Sequence, residues 1–296
     1  MKFVNFKIEN EEKLGIFNKD ESKVIEISSA LKGKNFSSMV DLIENITKPE
    51  IEFLSKLSDN TTYDGIQYDT TKVKLQSPIK RPIHDIICVG VNYSDHLKET
   101  NDNLNNFNAP TNTVYFAKRA IEIIGPGDPI KSRMELDNEL DYEVELAVII
   151  GKKGNDIPIE QVEEYIFGYS VFNDISARKL QKSHNQWYRG KSLDTFSSLG
   201  PVILYKASLP FPVEVDVKTT VNNELRQSSN TKMFIADIAK IISEVSSGMT
   251  LEPGDIIATG TPSGVAMAMR PQKFLKVGDT VTCEIPEIGK LTNIVK

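Results

Sequence analysis

The stretch 140-LDYEVELAVII-150 decides how this chain is read. As a strand, its side chains alternate, with Tyr142, Val144, Leu146 and Val148 on one face and Glu143 and Glu145 on the other. Two positions on one face of a strand have Cα atoms about 6.5–7 Å apart, close enough for both carboxylates to converge on one ion. An edge strand carrying two solvated glutamates satisfies the same pattern, and this stretch alone divides the two readings evenly.

A second apolar run, 167-FGYSVFNDIS-176, favours the ion. It closes on Asp174, where a buried charge needs compensation and a cation would supply it. Three carboxylates with neither thiolates nor a histidine cluster form a hard oxygen donor set. That set predicts a divalent cation at Glu143, Glu145 and Asp174: magnesium or manganese (Mg2+ or Mn2+), with calcium as a third candidate and water completing the shell. Zinc is the weaker choice, because His84, His96 and His184 do not form a ligand spacing such as HExxH.

From Ile83 onward the chain consists of apolar runs broken by glycine and proline, including IICVGV, GPVILY and VTCEI. Strands should dominate, with few long helices and no regular βαβ rhythm. This points to an α+β fold, a mixed β-roll or distorted barrel, over a doubly wound sheet. Residues 1–79 have a different texture and are expected to form a small β-rich N-terminal domain ahead of a catalytic domain at 80–296. Strands are expected near Lys2–Ile8, Lys13–Phe17 and Lys23–Ile27, and helices near Ser37–Ile46 and Pro49–Leu57; the polar stretch Ser58–Thr71 reads as a loop.

Composition narrows the function classes. With a net charge of −6, 40% hydrophobic and 26% charged residues, the chain is an ordinary globular one without the clustered lysines and arginines of a nucleic-acid footprint. Cys88 and Cys283 are too few and too far apart for a disulfide framework. No run approaches the ~20 apolar residues of a membrane span, and the amino terminus lacks a signal-peptide core, so a cytoplasmic protein acting on small molecules is expected.

Other polar residues are weaker signals. In 92-NYSDHLKET-100, His96 and Glu99 would share a helix face after a Ser94 cap, as a general base and its orienting carboxylate, although a surface pair is the commoner explanation. Lys191 in WYRGKSLDT, Gln181 after Asp174, and Thr261 with the backbone amides of GDIIATGTPSG could each bind substrate or be ordinary turn and surface residues.

The order NYxxHxxE, FxK, ExE, NDxSAR, GKSxDTF, GPV and GDIIxTGTPSG over residues 86–291 resembles the fumarylacetoacetate hydrolase family, and the N-terminal segment resembles the small domain of its longer members. The resemblance implies metal ligation by Glu143, Glu145 and Asp174, a water-activating dyad of His96 and Glu99 on a lid helix, and an active-site lysine at Lys191. It also implies substrate contacts from Lys118, Arg178, Gln181 and Thr261, and a homodimer. The implied reaction is hydrolytic cleavage of a carbon–carbon bond in a β-diketo acid of the acylpyruvate or fumarylpyruvate type. A decarboxylase acting on oxaloacetate, or an isomerase, hydratase or lyase of a related 2-oxo acid, is the alternative, because the same chelate stabilises the same enolate. A non-catalytic, calcium-stabilised binding module is the reading from another class. Val91 stands where some acylpyruvate-acting relatives carry an arginine, and Arg119 and Lys179 replace the family's usual proline and aspartate. The Asn-rich stretch ending at Pro110 predicts that Tyr93–Pro110 is a mobile lid.

Overall fold

The computed structural model describes residues 1–103 and 111–296, so residues 104–110 of the expected lid lie outside the described residues. The main sheet has the strand order Gln67–Asp69, Lys23–Glu26, Glu11–Phe17, Lys2–Ile8, Ser197–Tyr205, Ile166–Asp174, Val144–Ile150, Ile256–Ala258, Ile86–Gly90 and Val114–Lys118. Lys74–Gln76 pairs alongside Lys2–Ile8. Among the described residues this path does not close into a barrel. The fold is α+β, with a second, five-stranded sheet in the order Glu224–Asn230, Asp216–Val221, Thr280–Ile285, Gly289–Val295 and Pro129–Ile130.

The apolar runs are uninterrupted because the central strands are buried on both faces. Val144, Leu146, Val148 and Ile150 belong to one hydrophobic cluster and Ala147 and Ile149 to the other. The first cluster is completed by the second sheet and by the helix Ile238–Ser246, whose Ile238, Ile241, Ile242 and Val245 follow helical spacing. Asp237 caps that helix by accepting from the Lys240 amide at 2.8 Å. The second cluster is covered by the helices Met39–Asn45 and Lys48–Ser58. Ser38 caps the former, and Thr47 with Glu50 forms a capping box on the latter.

The N-terminal strands join the rest of the chain edge to edge, Phe3 pairing with Ile203 and Lys2 with Leu204. One local expectation changes. The stretch read as a loop contains the strand Gln67–Asp69, paired with Lys23–Glu26. Its side chains are only half-buried, so the backbone ladder defines it and no apolar pattern announces it. No described helix is long and apolar enough to cross a membrane.

Candidate metal centre and active site

Antiparallel pairing builds the centre. Val144 lies opposite Asn173 and Glu145 opposite Phe172, so the start of one strand meets the end of the other. The Asp174 amide donates to the Glu143 carbonyl at 2.9 Å, and Asn173 Oδ1 accepts from the Glu143 amide at 3.1 Å. As a result Glu143, Glu145 and Asp174 each present a carboxylate oxygen within 4.8 Å of the others, and all three residues are buried.

Three cations are buried with them. Lys191 Nζ donates to Glu143 Oε2 at 2.6 Å and Asp174 Oδ2 at 2.9 Å. Lys118 Nζ donates to Asp174 Oδ1 and to the carbonyls of Ile175 and Phe196 at 3.1 and 2.6 Å. Arg178 donates to Glu143 Oε1 at 2.6 Å, to Asp141 Oδ2 at 2.9 Å and to Gln181 Oε1 at 2.9 Å. Lys191 is held in place by the close packing of its short helix, Tyr188–Lys191, on Arg178–Ser183. A Cβ on Gly190 would come within 2.7 Å of the Ala177 carbonyl and 2.6 Å of the Gln181 amide, so only glycine fits there.

The charges do not balance. Among the described residues, Asp141, Glu143 and Asp174 form ion pairs with Lys118, Arg178 and Lys191, and Glu145 has none. Glu145 Oε2 accepts from the Gly260 amide at 2.8 Å. Burial, followed by the charges of Asp174 and Glu143, pushes its carboxyl well above the usual range. Burial also pushes Glu143 up, but Lys191 and Arg178 outweigh it and hold that carboxyl at about 2. Burial pulls both lysines down; the carboxylates reverse this at Lys191, whereas Lys118 stays below its ordinary value. A buried all-oxygen donor set with one uncompensated carboxylate fits a hard divalent cation.

The helix Ser94–Asn103 carries the basic group. His96 Nδ1 donates to Glu99 Oε2 at 3.1 Å, and Glu99 Oε1 accepts from the Gly264 amide at 2.9 Å. Gly264 has φ +100°, and a Cβ there would lie 2.0 Å from the Arg226 carbonyl, so the amide can be aimed this way only by glycine. Asp95 Oδ2 accepts from Ser229 and Ser263 at 3.0 and 3.1 Å, docking the same helix turn on the second sheet and on the loop that carries Thr261.

These elements enclose a cavity of about 210 Å³. Glu143, Glu145, His96 and Lys191 line it, as do Arg178, Gln181 and Thr261, so seven of the residues singled out in sequence meet at one place. Asp174 and Lys118 are fully buried and are not among the lining residues; all three Lys118 contacts go to protein acceptors. Val91 also lines the cavity, whereas Arg119 and Lys179 are exposed. Sequence reading passed over the apolar wall of Phe116, Trp187 and Met267. Trp187 stands edge-on to Phe116, with centroids 5.1 Å apart. Gln227 was also missed: it donates to Thr261 Oγ1 at 2.8 Å and accepts from the Val144 amide at 3.1 Å. No local signal marks it, since its partners are distant in sequence. Asp141 carries a faint signal, being an acid at the head of the deciding strand.

The family described as fumarylacetoacetate (FAA) hydrolase C-terminal matches residues 85–296. Oxaloacetate tautomerase YisK of Bacillus subtilis (strain 168) is 41% identical over 303 residues, covering 99% of each chain. A solved fumarylacetoacetate hydrolase from the psychrophile Exiguobacterium antarcticum is 38% identical with a TM-score of 0.83, covering 100% of this chain and 99% of that one. A maleylpyruvate hydrolase from Sphingobium sp. SYK-6, solved with manganese and pyruvate, is 28% identical with a TM-score of 0.76, covering 100% and 98%.

Proposed function

The chain belongs to the fumarylacetoacetate hydrolase family, and on that premise we propose that it is a divalent-metal-dependent enzyme interconverting the keto and enol forms of a small 2-oxo acid of the oxaloacetate type. The observation that carries this reading is the 41% identity to an oxaloacetate tautomerase along almost the whole of both chains. The geometry supports it in two ways. The cavity is small, about 210 Å³, with the bulky side chains of Phe116, Trp187 and Met267 among its lining, which leaves little room for a long acyl chain. Tautomerisation also asks only for a proton acceptor beside a stabilised enolate, and the His96–Glu99 pair beside Lys191 supplies one.

Bound at Glu143, Glu145 and Asp174, a divalent cation such as manganese or magnesium would act as a Lewis acid toward the developing enolate. Thr261, its oxygen accepting from Gln227, offers its hydroxyl proton to the substrate carboxylate. Gln181, its oxygen accepting from Arg178, offers its amide NH2. His96, aligned by Glu99, takes a proton from the carbon next to the 2-oxo group. That proton is returned at the enolate oxygen, giving the enol with no net loss or gain of atoms. Lys191 keeps the surroundings of the enolate positive while holding Glu143 and Asp174 in place. Lys118 holds Asp174 from below.

Hydrolysis of an acylpyruvate, favoured by the likeness to the maleylpyruvate hydrolase, is the second reading. It would use the same base on a water directed at a second carbonyl. The deciding assay follows the enol absorbance of oxaloacetate with manganese, in parallel with cleavage of a panel of acylpyruvates. Accelerated ketonisation without cleavage is expected; efficient cleavage with no effect on oxaloacetate would overturn the tautomerase reading. The protein is further proposed to be a homodimer, and light scattering that returns about 33.1 kDa would refute this.

A further inference from the structure

Asp141 is the most heavily bonded carboxylate in this part of the molecule, yet it touches neither the cavity nor the other acids. It is fully buried. Oδ1 accepts from its own neighbour's amide, Tyr142, at 2.9 Å and from the Ala266 amide at 2.8 Å. Oδ2 accepts from Arg178 Nε at 2.9 Å and from the Met267 amide at 3.1 Å. Four donors on one carboxylate is close to its full capacity, and three of them come from other segments of the chain.

The two ends of this network differ in kind. On one side, the Arg178 guanidinium passes the constraint on. With Nε fixed by Asp141, its planar fork can present one NH2 group to Glu143 Oε1 at 2.6 Å and the other to Gln181 Oε1 at 2.9 Å. On the other side, the amides of Ala266 and Met267 begin the short helical turn Ala266–Ala268, and the Met267 side chain forms part of the cavity wall. The Tyr142 hydroxyl donates to the Gly264 carbonyl at 3.0 Å just upstream, so the segment is pinned twice by adjacent residues of one strand end.

We propose that Asp141 is a positioning residue that ties the orientation of Glu143, through Arg178, to the placement of the Met267 wall. The part concerning Glu143 rests on reading Glu143, Glu145 and Asp174 as a metal site. The part concerning Met267 does not. In this arrangement the cation and the substrate wall are set by a single buried charge, and Asp141 acts on the chemistry without touching the reacting atoms. Asparagine in its place keeps the shape. One of its two terminal atoms, however, becomes a donor, facing either Arg178 Nε and the Met267 amide or the amides of Tyr142 and Ala266, so two of the four bonds, including one to the turn at 266–267, must break.

The test uses the full chain stripped of metal. Manganese is titrated calorimetrically into wild type, Asp141→Asn, Arg178→Lys and the double variant, and amide hydrogen exchange is followed over residues 264–269. Each single substitution is expected to raise the manganese Kd by about 10–100-fold, the usual cost of losing a partner that orients a ligand. The double variant should lie within about threefold of the weaker single one, because both act along one path. Exchange at one of Ala266 and Met267, whichever amide faces the new NH2 group, should quicken in Asp141→Asn, and both should stay unchanged in Arg178→Lys. A purely structural role would lower the melting temperature while leaving the Kd of the folded protein and this exchange contrast unmoved. Wild-type Kd in folded Asp141→Asn, or losses that multiply in the double variant, would overturn the proposal. If wild type itself bound no manganese, the metal reading would fall, and the exchange contrast would still decide the link to Met267. Where Asp141→Asn does not fold, Asp141→Glu takes its place, with a Kd rise of about tenfold expected and none overturning the proposal.

Discussion

Glu26 and Glu145 are both buried glutamates on strands of the main sheet, and their carboxyls are displaced in opposite directions. Burial pushes Glu26 up, but Ser28, Tyr68 and Lys13 all donate to it, at 2.5, 2.8 and 3.1 Å, and hold it below its ordinary value of 4.5. Burial pushes Glu145 up as well, and there two neighbouring carboxylates add to the push, which the Lys191 charge and the Gly260 amide do not offset. The Glu26 cluster is satisfied by the protein itself and asks for nothing. The Glu145 cluster holds a carboxylate with no ion-pair partner among the described residues, which is what a bound cation would supply. Buried acids therefore mark a ligand site through the imbalance around them, and their number says little.

The sharpest way to separate the regions is through turnover. His96→Ala is expected to lower it by about 10²–10⁴-fold while leaving metal affinity nearly intact, with Glu99→Gln acting more weakly in the same direction; steady-state rates beside manganese titrations read both. Full activity in the alanine variant would remove the dyad from the mechanism. Glu145→Gln should weaken manganese binding by more than about 100-fold, beyond the range for outer partners. In the metal-free chain the same change should leave the melting temperature at or above that of wild type, since it removes an uncompensated charge. A clear fall in metal-free stability would show that Glu145 is balanced after all.

Manganese at about 100 times its Kd should stabilise the wild-type fold by about 2.7 kcal/mol, visible as a rise in melting temperature that Glu145→Gln abolishes and Glu26→Gln retains. The smallest effect belongs to Glu26→Gln itself, a loss of about 1–3 kcal/mol with turnover unchanged.

Acidity then sets the two glutamates against each other in the metal-free protein. Glu26, lowered in the fold, contributes stability above pH 4.5 that is lost as pH falls through its folded value. Glu145, raised in the fold, contributes stability below pH 4.5 that is lost as pH rises toward its folded value. Thermal melts across acidic and neutral pH should show the two Gln variants flattening opposite limbs of the profile.

How much of this was readable from sequence depended on how local the determinant is. Glu143 and Glu145 follow from strand alternation, Asp174 from its place at the end of an apolar run, and His96 with Glu99 from helical spacing; each signal spans a few residues. Lys118 was legible as a residue of the site but not for its depth, because the motif shows residue type and not which carbonyls will surround the ammonium. The roles of Gln227 and Asp141 were out of reach, as the partners that define them, Thr261 for the one and Arg178, Ala266 and Met267 for the other, lie 34 to 126 positions away. The joining of the N-terminal strands at Phe3 and Ile203 was out of reach for the same reason, being a backbone pairing across two hundred positions.

Trp187 is the chain's one tryptophan, and it stands in the cavity wall against Phe116. The protein thus carries a built-in optical probe in the lining of the proposed substrate cavity. Its ultraviolet emission is free of background from any second indole, so a shift in colour or intensity on adding oxalate or manganese would report directly on filling of this cavity. Binding could then be followed in a stopped-flow cuvette with unmodified protein, before a single turnover is counted.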